Sequence, residues 1–172
     1  TPITQFQDVQ VQTSYGYGGA PDQPITLYPQ QVIEEALSID MKNVDGWHTR
    51  TTAEDIDEIS VDFVWPQGNY YISMADGKKH ALQFVVWIQA RRLPDGAWFS
   101  LPTIQGTFIW TSAFRRTSRI TVPRGQYEVR AMKALADWPP DHDDTFVDSF
   151  VWTAMRGLRN ASPILFNKPL LV

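Results

Sequence analysis

Apolar side chains recur at every second position along most of this chain, and that period dictates what it folds into. Ile59, Val61, Phe63 and Trp65 alternate with Glu58, Ser60, Asp62 and Val64 until Pro66 ends the run. Leu82, Phe84, Val86, Ile88 and Ala90 line one face of a longer stretch, with Gln83, Val85, Trp87 and Gln89 opposite. Successive side chains of a strand point to opposite sides, so each run reads as a strand with one face in a core and one wet face. The same period marks Leu37, Ile39 and Met41, then Ile104, Gly106, Phe108 and Trp110, then Ser118–Val122 and Tyr127, Val129 and Ala131. A last strand is predicted over about Phe146–Thr153. Gln30–Ala36 fits a single helical turn, and Val9–Gln12 a short strand.

The breaks between runs carry turn chemistry. Asp45-Gly46 and Pro94-Asp95-Gly96 read as tight turns, the second as a hairpin in which Asp-Gly accepts positive φ. Pro123-Arg124-Gly125 makes a sharp corner. Strands spaced by turns, with no long amphipathic helix, predict an all-β sandwich. Residues 1–30, with Tyr15-Gly16-Tyr17-Gly18-Gly19 and Pro21, Pro24 and Pro29, are too rich in glycine and proline for either regular structure and read as an irregular arm. The start at Thr1 reads as a fragment of something longer.

Bulk properties narrow the function. A net charge of −4 gives no basic footprint for nucleic acid. There is no cysteine, which removes disulfides, thiolate metal sites and thiol catalysis. No apolar run is long enough to span a bilayer as a helix. Seven Trp, six Tyr and nine Phe are an unusual load of rings, suited to strands and to recognition surfaces alike.

No motif for catalysis or for a cofactor stands out. His48, His80 and His142 are dispersed, without the pairing a zinc site uses. Asp141-His142-Asp143-Asp144 is rich in oxygen ligands but lacks the glycine and spacing of a calcium loop, and it reads as a solvated acidic turn. There is neither a Gly-x-Ser-x-Gly elbow nor a phosphate-binding loop, and a carboxylate pair for glycoside hydrolysis has no cleft signature. Surface candidates remain. Trp87 falls on the wet face of its strand, where a large ring suits a subunit contact, a sugar platform or packing beneath a loop. Trp110 is equally open to these readings. Arg115, Arg116, Arg119, Arg124 and Arg130 form a locally basic stretch, read either as solvated outward positions or as a contact for an anionic partner. Tyr15 and Tyr17 read as docking residues of the arm.

The order of motifs carries a resemblance. Val61-Asp62-Phe63-Val64-Trp65-Pro66, then Phe84–Arg91 with Trp98 after a turn, then Ile120–Arg130, resembles the B, C, E and F strands of a fibronectin type III domain. Pro123, Gly125 and Tyr127 match that family's corner, where a tyrosine hydroxyl ties back to upstream backbone. Gly19–Pro24, Gly125–Lys133 with its Asp-rich sequel, and Val151–Leu158 resemble segments of the tip attachment (host-specificity) protein J family of lambda-like tailed phages. That resemblance implies a fibronectin-like insertion over residues 31–160, flanked by hub-domain segments at 1–30 and 161–172. It implies a non-catalytic structural module of the virion, made in the bacterial cytoplasm, trimeric in the full assembly and in contact with other tail-tip proteins. It implies no cofactor. Trp138-Pro139-Pro140-Asp141-His142 departs from the turn usual in the family. The competing reading is a carbohydrate- or host-surface-binding sandwich module, with Trp87, Trp110 or Tyr15 as platforms for a host-surface glycan.

Overall fold

The structure, a computed structural model, describes residues 13–14, 31–139, 141–159 and 170–171. Its strands run β1 (Thr13–Ser14), β2 (Gln31–Asp40), β3 (His48–Thr51), β4 (Ile56–Trp65), β5 (Tyr70–Ile72), β6 (Lys79–Arg92), β7 (Phe99–Ser100), β8 (Ile104–Phe108), β9 (Phe114–Gly125), β10 (Tyr127–Lys133), β11 (Thr145–Val147), β12 (Val151–Arg159) and β13 (Leu170–Leu171). The chain divides into two units, Thr1–Gln31 with Asn160–Val172, and Val32–Arg159. In the first, β1 pairs with β13 antiparallel, Thr13 opposite Leu171. The predicted Val9–Gln12 strand, Tyr15 and Tyr17 lie outside the described residues.

The larger unit is a sandwich. One sheet has the order β2-β12-β4-β9; the other runs β11-β5-β6-β10-β3, with β7 and β8 also on β6. The strands behind the fibronectin resemblance pair as it implies: β4 with β9 in one sheet, Val61 opposite Ser118, and β6 with β10 in the other, Ala90 opposite Val129. The last strand of the sandwich, β12, joins the sheet of β4, while β3 takes the free side of β10.

The alternation explains the core. Ile59, Val61, Phe63 and Trp65 of β4 and Val86, Ile88 and Ala90 of β6 are almost wholly buried, together with Val129, Ala131 and Trp152. Trp65 lies stacked on Phe114 at 4.8 Å and on Phe150 at 4.7 Å, with Phe84 of the opposite sheet 4.9 Å away. Offset and tilted ring packing of this kind adds about 0.5–1.5 kcal/mol per pair beyond area burial.

Between β9 and β10 the chain crosses from one sheet to the other at Gln126. The corner there is closed as the fibronectin resemblance implies: the Tyr127 hydroxyl donates to the Pro123 carbonyl at 2.5 Å. Thr52 holds the other side, its Oγ1 accepting from Tyr127 N at 3.0 Å while its own N–H donates to Tyr127 O at 2.8 Å. A second close approach fixes the β4–β5 turn. Gly68 sits at φ +91°, and a Cβ there would strike the Trp110 carbonyl. Asn69, fully buried, pairs its backbone with Trp110 and donates its amide to Leu82 O at 2.7 Å.

Three local expectations are corrected. Of the helical turn expected at Gln30–Ala36, Gln30 lies outside the described residues and Gln31–Ala36 are the start of strand β2, which pairs with β12 in the sheet. The strand expected over Phe146–Thr153 is two strands: β11 pairs with β5, and β12 with β4 in the opposite sheet. The break falls at Asp148–Phe150, where Phe150 turns into the core and its carbonyl accepts from Met41 N at 3.0 Å. The Pro94–Gly96 turn does not use positive φ; the Leu93–Pro94 bond is cis, and Gly96 N donates to Arg92 O at 2.7 Å. Glycine is needed there for closeness, since a Cβ would lie 2.5 Å from that carbonyl.

Candidate interaction surface

The two sheets present opposite kinds of chemistry to the outside. On the sheet of β4 the outward residues include Glu58 and Asp62, both nearly buried although charged. Asp62 is surrounded by donors from neighbouring strands: Arg156 Nη1 of β12 at 2.5 Å, Thr117 Oγ1 of β9 at 2.5 Å, and Arg115 Nη1 at 3.8 Å. Arg156 also bonds Glu34 of β2, and Arg119 pairs with Glu58. The carboxylates of Asp62 and Glu34 raise the Arg156 pKa above its ordinary value, chiefly through these hydrogen bonds. This face is a lattice of mutually neutralised charges across four strands.

The outer face of the sheet of β6 is built on indoles. Alternation along β6 turns Trp87, Gln89 and Arg91 outward, and register places Met132, Arg130 and Glu128 of β10 opposite them. The Arg130 guanidinium lies over Trp98 at 3.9 Å and over Trp47 at 4.4 Å, with Nε and Nη2 donating to Gln89 Oε1 at 3.0 and 2.6 Å. Arg91 lies over Trp98 at 4.9 Å and donates to Glu128 at 2.5 Å. Beside this ladder Trp87 is 49% exposed. A shallow hollow of about 260 Å³ opens between it and Trp47, lined further by Gln89, Ser100 and Thr103.

The sequence candidates are therefore separated. Trp87 stands on the indole face. Trp110 is half-buried and extends the core stack, 4.7 Å from Phe114 and edge-on to Phe108 at 5.7 Å. Arg115 and Arg116 are adjacent in β9 and so face opposite ways: Arg115 reaches towards Asp62, while Arg116 lies over the Trp110 ring at 4.7 Å. Arg130 belongs to the other sheet altogether. The five arginines make no common patch. Pro123, Gly125 and Tyr127 form the corner already described.

Sequence reasoning missed two groupings. Trp47 and Trp98 precede strands β3 and β7, where no period assigns them a face, so their meeting on Arg130 was not legible. The Asp137–Thr145 loop, which contains the acidic turn Asp141–Asp144, also carries a ring cluster. Trp138 stacks on Phe146 at 4.0 Å, Phe146 on Tyr71 at 5.6 Å, and Tyr71 on His80 at 5.1 Å. His142 packs edge-on against Phe146 at 4.9 Å. Beneath the loop, nearly buried Lys133 donates to Asp137 at 2.8 Å and Asp148 at 2.6 Å. Burial works against the Asp137 charge, but Lys133 and the N–H groups of Asn43 and Val44 hold its pKa below the ordinary value. A cleft of about 700 Å³ opens there, bordered by Met41, Lys133, Trp138, His142 and Phe150. Among the described residues no group of His, Asp or Glu is arranged to hold a metal ion.

Comparison with known proteins agrees with the resemblance. The family model described as the FNIII-A domain of tip attachment protein J matches residues 31–161, most of the chain and all of the sandwich. No curated protein matches the chain.

Proposed function

The chain belongs to the FNIII-A domain family of the phage tip attachment protein J, and from that membership we propose that it is a structural module of a phage tail tip. The observation that carries the reading is the coincidence of the family match with one closed sandwich, residues 31–161 against Val32–Arg159. Its place is the virion tail, among other tail proteins, and its work is mechanical rather than catalytic. It supplies a rigid body whose faces meet neighbours, within a trimer of the full protein.

Physical features support such a role. Both sheets share one ring-rich core, so the module moves as a unit. The twelve-residue edge strand β9 carries Arg115, Arg116, Arg119 and Arg124. Charged side chains on an exposed edge discourage unplanned strand pairing, which a crowded β-rich assembly requires.

The test is complementation of a phage lacking its tip attachment protein with a version carrying Trp65→Ser in this module. Removing the ring at the centre of the Phe84–Phe114–Phe150 stack destabilises the body by at least about 3–5 kcal/mol, a large fraction of a domain's stability. A structural role predicts fewer tails with complete tips, more so at higher temperature. Normal tip assembly and infectivity with an unfolded module would overturn it.

A further inference from the structure

The indole face of the β6 sheet holds hydrogen-bonding groups, open rings and two arginines, of which Arg91 is paired with a carboxylate and Arg130 is held by neutral groups. The Arg91 charge is met by Glu128, and Arg130 is held between two indoles and the Gln89 carbonyl oxygen. What remains around the hollow at Trp87 is neutral: the Gln89 amide nitrogen, the hydroxyls of Ser100 and Thr103, and the Trp47 and Trp87 rings. Register continues the same chemistry outward along β8, where Gln105 stands opposite Val85 and Thr107 opposite Gln83, all four on this face.

We infer that this face binds a neutral, polyhydroxylated glycan, with a sugar ring laid on Trp87 in the hollow between Trp87 and Trp47. A pyranose offers an apolar C–H face to an indole and hydroxyls at its rim to amides and hydroxyls. Those are the groups present here, in that arrangement. The hollow, at about 260 Å³, is below the roughly 300–1,000 Å³ typical of enclosed ligand sites, so it takes one ring of a chain that continues along the face. An anionic ligand fits less well: Arg91 is paired with Glu128, and Arg130, though it keeps its charge, lies over Trp47 and Trp98 with Nε and Nη2 committed to Gln89. Protein interfaces share the enrichment in aromatic side chains but are depleted in serine, and the hollow, with Ser100 and Thr103 hydroxyls beside the Gln89 amide, matches a glycan better. This binding is an activity beyond a structural place in the tail tip and stands or falls separately from it.

The test is affinity electrophoresis and calorimetry of the full chain against named probes: dextran, barley β-glucan, galactomannan and maltoheptaose as neutral glycans, heparin and polygalacturonate as anionic ones. At least one neutral probe is expected to retard the chain, insensitively to salt. Trp87→Ala, at a half-exposed position that leaves the core intact, is expected to weaken that binding on the order of tenfold or more. Trp138→Ala, an exposed ring elsewhere, is the control and should leave it unchanged. The inference is overturned if no neutral probe binds at millimolar concentration, or if only anionic probes bind in a salt-sensitive way. It is equally overturned if binding survives Trp87→Ala, whatever Trp138→Ala does, or if Trp87→Ala impairs only association with other tail proteins.

Discussion

Replacing Tyr127 by Phe isolates a single hydroxyl at the point where the chain changes sheets. The ring stays, only 1% exposed and edge-on to Phe99 at 6.2 Å, so packing is conserved. What is lost is the hydroxyl's bond to the Pro123 carbonyl. A net intramolecular hydrogen bond contributes about 0.5–1.5 kcal/mol. A chain of this length shifts its melting temperature by about 2–4 °C per kcal/mol, so the variant should melt about 1–6 °C lower, with an unchanged urea m-value. Tyr127→Ala, which also empties the site, should cost about 3–5 kcal/mol. The pH dependence gives a second, independent readout. Burial raises the Tyr127 pKa above its ordinary value of 10.0. The folded state thus holds the proton more tightly than the unfolded chain, and this contribution is complete below pH 10 and fades as pH rises through the folded value. Wild type should lose its advantage over Tyr127→Phe above pH 10, followed by urea titration at stepped pH. A Phe variant as stable as wild type at pH 7, or a difference that persists unchanged above pH 10, would refute the role given to the corner.

Other perturbations probe the remaining elements. Gly68→Ala places a methyl group against the Trp110 carbonyl at a positive φ and should destabilise by more than about 1 kcal/mol, read by chemical denaturation. Lys133→Met leaves Asp137 and Asp148 facing each other without their ammonium; with both carboxylates partly exposed the cost should be about 1–3 kcal/mol. Because the Asp137 pKa lies below its ordinary 3.8, its contribution is present above that value and lost as pH falls through the folded one, so acid should loosen the wild-type loop and affect Lys133→Met less. Arg130→Lys keeps the charge but not the plane between Trp47 and Trp98; a loss of about 0.5–2 kcal/mol and a changed near-ultraviolet circular dichroism are expected.

The period-2 runs made most of the sandwich legible, because a core face and a wet face leave their mark on alternate residues. The β6 alternation alone placed Trp87 outward and Phe84, Val86 and Ile88 inward, as found. The corner was legible because Pro123, Gly125 and Tyr127 form a compact local motif. Two things were not. A strand that changes sheets, as between β11 and β12, keeps its apolar composition across the break, so Phe146–Thr153 read as continuous. Side chains in the short stretches before β3 and β7, and in the loop before β11, belong to no period, so the Trp47–Arg130–Trp98 ladder and the Trp138–Phe146 stack arise only from tertiary placement.

The most direct test of a tail-tip role is to see where the module sits. A small epitope at Asp95, in the exposed turn between β6 and β7, can be labelled on purified phage particles and imaged by electron microscopy. Label confined to the distal end of the tail is the predicted result. Label along the tail tube or on the head, or particles that carry none of the chain, would contradict the account.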